Sequence, residues 1–261
     1  MENGYHEVRM VMQTVSDMSA LLGVDEEKRT QWQFINKHLS DYPLQERNGK
    51  TVFRYTEKGC DWWDGNTLGI QHIYPAGQIG LNSDPKLLEV AYNTVDEMQR
   101  WLDSNGSNSF FPAAVRIGYK PDSILVHLNT YSKHTYPNGF QLNNPHGIEN
   151  WSTVPNTINE MLCMGHQDIV RVFPVWPRGK DASFHQIRVE GAFLVSGEQK
   201  GGAVTSLTLV SEKGRDLTLQ NPWKGKKVEI TDPVAGKRTV DGDFIKMKTE
   251  AGQTYRFAMG K

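Results

Sequence analysis

Carboxylates next to aromatic residues are the side chains of this sequence that could do chemistry. Glu149 stands directly before Asn150-Trp151 and the stretch STVPNTINEML, in which apolar residues recur at helical spacing. A carboxylate at the start of a helix is kept ionised by the helix dipole, so it could act as a general base. Asp61 and Asp64 flank Trp62-Trp63, whose rings could stack on sugars. Each carboxylate could instead be a helix cap or a solvated loop charge, and the Trp pair could belong to a core.

Motifs of metal, nucleotide and serine-hydrolase chemistry are absent from the sequence. It has eight histidines but no HxH or HExxH pattern, and we expect His127 and His134 to be surface or packing residues. No GxSxG, GxGxxG or P-loop pattern occurs. Cys60 and Cys163 form no CxxC motif and are expected to be free thiols. We therefore expect neither a metal nor any other cofactor.

Charge and hydropathy argue against several classes of partner. The 261 residues carry a net charge of -1 without a basic patch, so we expect no nucleic-acid binding. The longest apolar runs are too short to span a bilayer, so we expect no membrane insertion. The N-terminal MENGYHEVRMVMQ lacks the apolar core of a signal peptide. We expect no export signal in this chain, although a longer parent could carry one.

Two periodicities divide the chain. The first part is mostly helical in pattern, and about six helices are expected, beginning near Gly4, Asp25, Asp84, Ser109, Pro121 and Ser152. Asn48-Gly49 predicts a hairpin turn within this part. The last part has short alternating segments separated by glycine turns, which predict an antiparallel β-sandwich. The predicted class is α+β, with a helical domain at residues 1–177 and a β-domain at residues 178–261.

Four longer stretches follow one another along the chain: HIYPAGQIGL, KLLEVAYNTVDEMQRWL, GIENWSTVPNTINEMLCMGHQDIVRVFPVWP and SFHQIRVEGAFLVSGEQKGGAVTSLTLVSEKG. In this order they resemble the C-terminal half of glycoside hydrolase family 95, which contains inverting α-L-fucosidases and α-L-galactosidases. The early segment RMVMQTVSDMSALLGVDEEKRTQWQFINKHLSDYPL is similar to a helical pair of the catalytic domain of that family. The resemblance covers almost the whole chain.

The resemblance implies part of an (α/α)6 barrel followed by a C-terminal antiparallel β-sandwich. It implies an exo-acting, inverting hydrolase of oligosaccharides whose general base is Glu149, where the family usually has Asp. Asp64 and Asn66 stand where the family has histidines, which suggests a different sugar or lost activity. The substrate-binding residues that the resemblance implies are Trp63, Asp64, Asn66, His72, Asn143, His146 and Asn150.

The general acid of the family has no counterpart in this sequence, and about six helices make only half of a closed (α/α)6 barrel. We therefore expect a C-terminal portion of a longer, periplasmic or secreted bacterial enzyme, with the N-terminal half of that enzyme as a partner. Inversion needs both an acid and a base, so the chain alone is expected to be inactive. The alternative is a non-catalytic carbohydrate-binding or scaffold protein derived from the same fold.

Overall fold

The structure is a computed structural model that describes residues 5–62 and 65–260 of the chain. The described part contains seven α-helices, which are α1 (Tyr5–Leu22), α2 (Glu26–His38), α3 (Pro85–Met98), α4 (Ser107–Arg116), α5 (Pro121–Ser132), α6 (Ile148–Trp151) and α7 (Thr153–Leu162). A large antiparallel sheet follows them, so the class is α+β, as predicted. The partial (α/α)6 barrel and the β-sandwich stay predictions.

Two compact units make up the chain. The first unit is Met1–Tyr119 with Val126–Val154, and the second is Lys120–Leu125 with Pro155–Lys261. The first unit contains most of the helices, and the second contains the sheet and most of α7. The domain division between residues 177 and 178 stays a prediction.

The helix starts show where local sequence signals decide the structure. The Asp84 carboxylate accepts hydrogen bonds from the backbone N–H groups of Lys86 and Leu87, with Pro85 in the first turn, so α3 begins where the sequence predicts. Helix α2 also begins where the sequence predicts, directly after Asp25. The backbone of Asp25 is left-handed, with a φ of 52°, and its carboxylate pairs with the Lys28 ammonium at 2.6 Å and makes no capping hydrogen bond.

A two-stranded hairpin follows the first two helices. Strand β1 (Leu44–Arg47) pairs antiparallel with β2 (Lys50–Phe53), and the turn residues Asn48 and Gly49 have φ values of 50° and 75°. Positive φ at both central residues is the geometry that Asn-Gly favours in two-residue hairpins. The predicted turn is therefore confirmed.

The second unit is built around a six-stranded antiparallel sheet. Its strand order is β10-β9-β12-β7-β6-β5, and the short pairs β8–β11 and β3–β4 accompany it. The bounds are β3 (Cys163–Met164), β4 (Arg171–Val172), β5 (Ala182–Val189), β6 (Phe193–Lys200), β7 (Ala203–Ser211), β8 (Leu217–Gln220), β9 (Val228–Asp232), β10 (Gly236–Val240), β11 (Phe244–Met247) and β12 (Gln253–Met259).

The core of the second unit follows from the alternation of these strands. Buried and half-buried residues alternate along β6 and β8, because successive side chains of a strand point to opposite faces. Strands β8 and β11 belong to the same buried cluster as the large sheet, which includes Phe193, Val195, Leu209, Leu219, Ile230, Ile245 and Phe257. One continuous apolar core therefore holds this unit together.

Candidate functional site

Glu149, the candidate base, lies in the first turn of the four-residue helix α6 and is exposed. Its backbone carbonyl accepts hydrogen bonds from the Ser152 N–H at 3.1 Å and the Ser152 hydroxyl at 2.6 Å. Ser152 directly precedes α7, where the sequence predicts a helix start, but it also ends the short helix α6, which the sequence does not predict. Among the described residues, the Glu149 carboxylate has neither a hydrogen-bond partner nor an ion-pair partner.

Asn150, the next residue, is 1% exposed and fixes α6 to the rest of the first unit. Its side-chain amide donates a hydrogen bond to the Ser104 carbonyl at 2.8 Å, and its own carbonyl accepts one from the Tyr131 hydroxyl at 3.1 Å. Burial raises the pKa of Tyr131, so this hydroxyl stays a donor at neutral pH. The orientation of α6 is therefore set by two hydrogen bonds to distant parts of the chain.

Two further amide side chains are held at the same place. The Asn144 amide donates to the Ser104 carbonyl at 3.0 Å, and the Gln141 amide donates to the Asp103 carbonyl at 3.1 Å. A Cβ on Gly147 would lie 2.6 Å from the Asn144 side-chain nitrogen, so only glycine leaves room for this arrangement. We call the turn Asp103–Gly106 the shared turn. Its backbone carbonyl groups hold the segment that carries Glu149 in place.

The aromatic loop, residues 54–67, also contacts the shared turn. A Cβ on Gly106 would lie 2.6 Å from both the methyl and the hydroxyl of Thr67, so these two residues are in close contact. The neighbouring Asn66 accepts a hydrogen bond from the Leu68 N–H at 3.0 Å, which orients the chain as it leaves the loop. Asn150 therefore contacts this turn directly, and Asn66 is next to a residue that contacts it.

The shared turn is stabilised by the carboxylate of Asp103. One of its oxygens accepts two hydrogen bonds from the Arg100 guanidinium, at 2.6 and 2.9 Å, and the other accepts the Asn105 N–H at 2.8 Å. Asp103 is buried and ion-paired, so it is occupied as a structural group. In the aromatic loop, Asp61 is ion-paired with Arg54. Neither carboxylate is available as the acid partner of Glu149.

The structure describes three of the five other predicted binding residues, Asn143, His146 and His72. Trp63 and Asp64 lie outside the described residues. Asn143 and His146 are exposed in the loop before α6. His72 is buried, and its ring lies edge-on to Phe53 with 4.3 Å between ring centroids. A buried ring in this position belongs to the core, so His72 stabilises the loop through packing.

Trp62 lines a shallow crevice of the first unit. The other lining residues are Phe53, Tyr55, Gly69, Thr94 and Met98. The Arg47 guanidinium lies over the Trp62 ring, 4.3 Å from its centroid. The Thr94 hydroxyl donates to the Val90 carbonyl and accepts the Phe53 N–H, so the crevice presents mainly apolar and aromatic surface.

The sequence did not single out the residues that hold the site together, which are Thr67, Ser104, Gly106 and Gln141. One signal was present, because Gln141, Asn144, Gly147 and Asn150 recur at every third position. Such a run of amide and glycine residues is typical of consecutive tight turns. The sequence does not show which backbone carbonyl groups these side chains bind.

The described part of the chain contains no cluster of three or more His, Cys, Asp or Glu side chains that could hold a metal ion. None of its helices is both long and apolar enough to cross a membrane.

Comparisons with known proteins give little information on the family. No protein-family model matches the chain, and no curated protein matches it. Among solved structures, the chain is similar to a GH127 β-L-arabinofuranosidase from Geobacillus stearothermophilus T6, with 12% identity and a TM-score of 0.27. The match covers 97% of this chain and 41% of that one. A TM-score this low does not establish a common fold, so the function has to be argued from the site.

Proposed function

We propose that the chain carries the base-bearing part of an inverting, exo-acting glycoside hydrolase, with Glu149 as the general base. The observation that supports this proposal is the combination of an exposed, unengaged Glu149 with a neighbour, Asn150, that is buried and anchored. A carboxylate on a fixed support, open to water and free of an ion pair, meets the requirements of a base at neutral pH.

The substrate proposed is an oligosaccharide ending in an α-linked L-fucose or L-galactose unit. Water would be deprotonated by Glu149 on one face of the sugar, while an acid about 6.5–9.5 Å away protonates the leaving oxygen. Asn143 and His146 would offer polar contacts beside the base, and Asn66, Trp63 and Asp64 would act from the aromatic loop. The acid would come from outside the groups described above, and no cofactor is needed.

A glycosyl fluoride tests the base separately from the acid. Fluoride leaves without protonation, so a site with only a base hydrolyses α-L-fucosyl or α-L-galactosyl fluoride. We expect slow turnover to the β-anomer, seen by NMR, and a loss of about 10²–10⁴-fold in Glu149→Gln. Glu250→Gln, at an exposed residue of the second unit, is the control. Absence of turnover of both fluorides, or equal rates in Glu149→Gln and the control, would remove Glu149 from the mechanism.

A second candidate function, non-catalytic carbohydrate binding, is favoured by the half-buried Trp62 at its crevice. An indole ring held from one side by Arg47 is a suitable platform for the apolar face of a sugar. Titration of L-fucose and L-galactose, followed by tryptophan fluorescence, would distinguish the two functions. Binding that is lost in Trp62→Ala, without hydrolysis of either fluoride, would support binding alone.

A further inference from the structure

The helices α1 and α2 contact each other through polar side chains. The Gln33 amide donates to the Ser16 hydroxyl at 3.4 Å, and the Asn36 amide donates to Gln13 at 3.0 Å. Ser16 and Ser19 are the buried residues among the described side chains of the two helices. The buried positions of the pair are therefore polar, while several large apolar residues of α1 stay exposed.

The apolar residues of α1 form one exposed stripe. Leu21 is 83% exposed, Leu22 65% and Met18 53%, and Met10 and Val11 are also exposed. At about 100° per residue, all five fall within about 120° of the helix circumference. From Met10 to Leu22 the only other residue in this arc is Thr14, so the surface is free of charge. These five residues are the α1 stripe.

A membrane surface is a poor partner for the α1 stripe. Helices that bind lipid headgroups carry lysine or arginine along their polar face. The arginine of α1, Arg9, donates instead to the carbonyls of Leu39 and Ser40, at 3.2 and 3.0 Å. Asp17 lies at one margin of the stripe and would be repelled by anionic lipids. A protein surface is the partner that this chemistry fits.

The α1 stripe is complementary to itself. When two α1 helices pack antiparallel about a two-fold axis near position 16, Met10 lies opposite Leu22 of the other copy. By the same symmetry Val11 lies opposite Leu21, and Thr14 lies opposite Met18. Each contact then occurs twice, as an isologous interface requires. Five of the six positions in these pairs are apolar, so the contact buries apolar surface along the length of the stripe.

The charges of α2 agree with the same arrangement. This helix has acidic residues in its first turn, Glu26 and Glu27, and basic residues in its last turn, Lys37 and His38. In a two-fold antiparallel arrangement, the acidic end of one α2 and the basic end of the other α2 lie at the same end of the interface. With a net charge of only -1 per chain, repulsion between copies is small.

We propose that this chain forms a two-fold symmetric dimer in which the α1 stripes of two copies pack antiparallel. The interface consists of two α1–α2 pairs, with the polar contacts inside each pair and the apolar contacts between the copies. The proposal is independent of the hydrolase proposal, since it uses neither Glu149 nor the aromatic loop.

Sedimentation velocity and light scattering on the 261-residue chain test the dimer. We expect twice the mass of one chain at high concentration and dissociation on dilution. Leu21→Glu should weaken association at least about tenfold, because it places a charge against the apolar Val11 of the other copy. Val126→Glu, at a residue of α5 that is 64% exposed and lies outside both α1 and α2, should leave association unchanged. Circular dichroism verifies that each variant keeps its helices.

A pair of charge variants tests the antiparallel register. Val11→Glu and Leu21→Lys should each be monomeric, whereas a mixture of the two should recover a heterodimer, because positions 11 and 21 face each other. A monomeric wild type at every concentration would overturn the proposal and assign the stripe to a different segment or protein. Full association in Leu21→Glu, or a mixture that stays monomeric, would also overturn it.

Discussion

Replacement of Gly106 by alanine tests whether the shared turn really joins the aromatic loop to the segment of Glu149. The added methyl would lie 2.6 Å from two atoms of Thr67 and 3.1 Å from the Asp103 carboxyl carbon. Overpacking of this kind costs about 1–3 kcal/mol. Gly106 is also the N-cap of α4, where alanine is poorer than glycine by about 0.5–1 kcal/mol. We therefore expect Gly106→Ala to destabilise the first unit by about 1.5–4 kcal/mol.

The two contributions can be separated with Thr67→Ala, which removes the two nearest of the three atoms that the new methyl would meet and leaves the Asp103 carboxyl carbon. In that background Gly106→Ala should cost clearly less, so the coupling energy should equal the part of the overpacking cost that comes from Thr67. Urea unfolding followed by tryptophan fluorescence measures each variant. Gly179→Ala, which has open space around its Cβ, is the control. If Gly106→Ala is as mild as the control, or costs the same with Thr67→Ala, the contact between loop and turn does not exist.

Three further predictions concern other parts of the chain. Burial raises the pKa of the Cys163 thiol to about 12, so iodoacetamide near neutral pH should modify Cys60 and spare Cys163 until urea exposes it, as mass spectrometry would show. Phe193→Ala should cost about 3–5 kcal/mol in urea unfolding, because the ring is buried in the sheet core; an unchanged midpoint would contradict this packing. The backbone N–H of Ala235 lowers the pKa of Asp232. This carboxylate therefore stabilises the fold above about pH 4 and loses its contribution as the pH falls through its folded pKa. Asp232→Asn should reduce the stability at pH 7 more than at acidic pH, and equal losses at both pH values would contradict the predicted pH dependence.

The elements that the sequence predicts well have their determinants within a few residues. Asp84 and Pro85 specify a helix start by themselves, because the carboxylate binds amides two and three positions later. Asn48 and Gly49 specify a hairpin turn, because both tolerate a positive φ. In such cases neighbouring residues determine the free-energy difference between this backbone conformation and other conformations, and the tertiary structure does not override it.

The elements that the sequence predicts poorly depend on distant partners. The sequence predicts the helix start near Ser152 but not the short helix α6 ahead of it, in which Asn150 is held by Ser104, 46 positions earlier in the chain. The pairing of an amide with one particular carbonyl cannot be read from residue types. His72 shows the same limit, since its burial beside Phe53 follows from how the loop packs on the hairpin.

The exposure of Glu149 follows from the burial of Asn150. Successive side chains of a helix point about 100° apart, so a helix turned to bury one residue must turn the next away from the interior. The hydrogen bonds of Asn150 to Ser104 and of Tyr131 to Asn150 therefore fix the direction of the Glu149 carboxylate as well. Any sugar that meets this carboxylate must approach it from the solvent side of the first unit. A site that excludes bulk water there needs a cover from elsewhere, so the role of Glu149 depends on what covers this surface as much as on the residue itself.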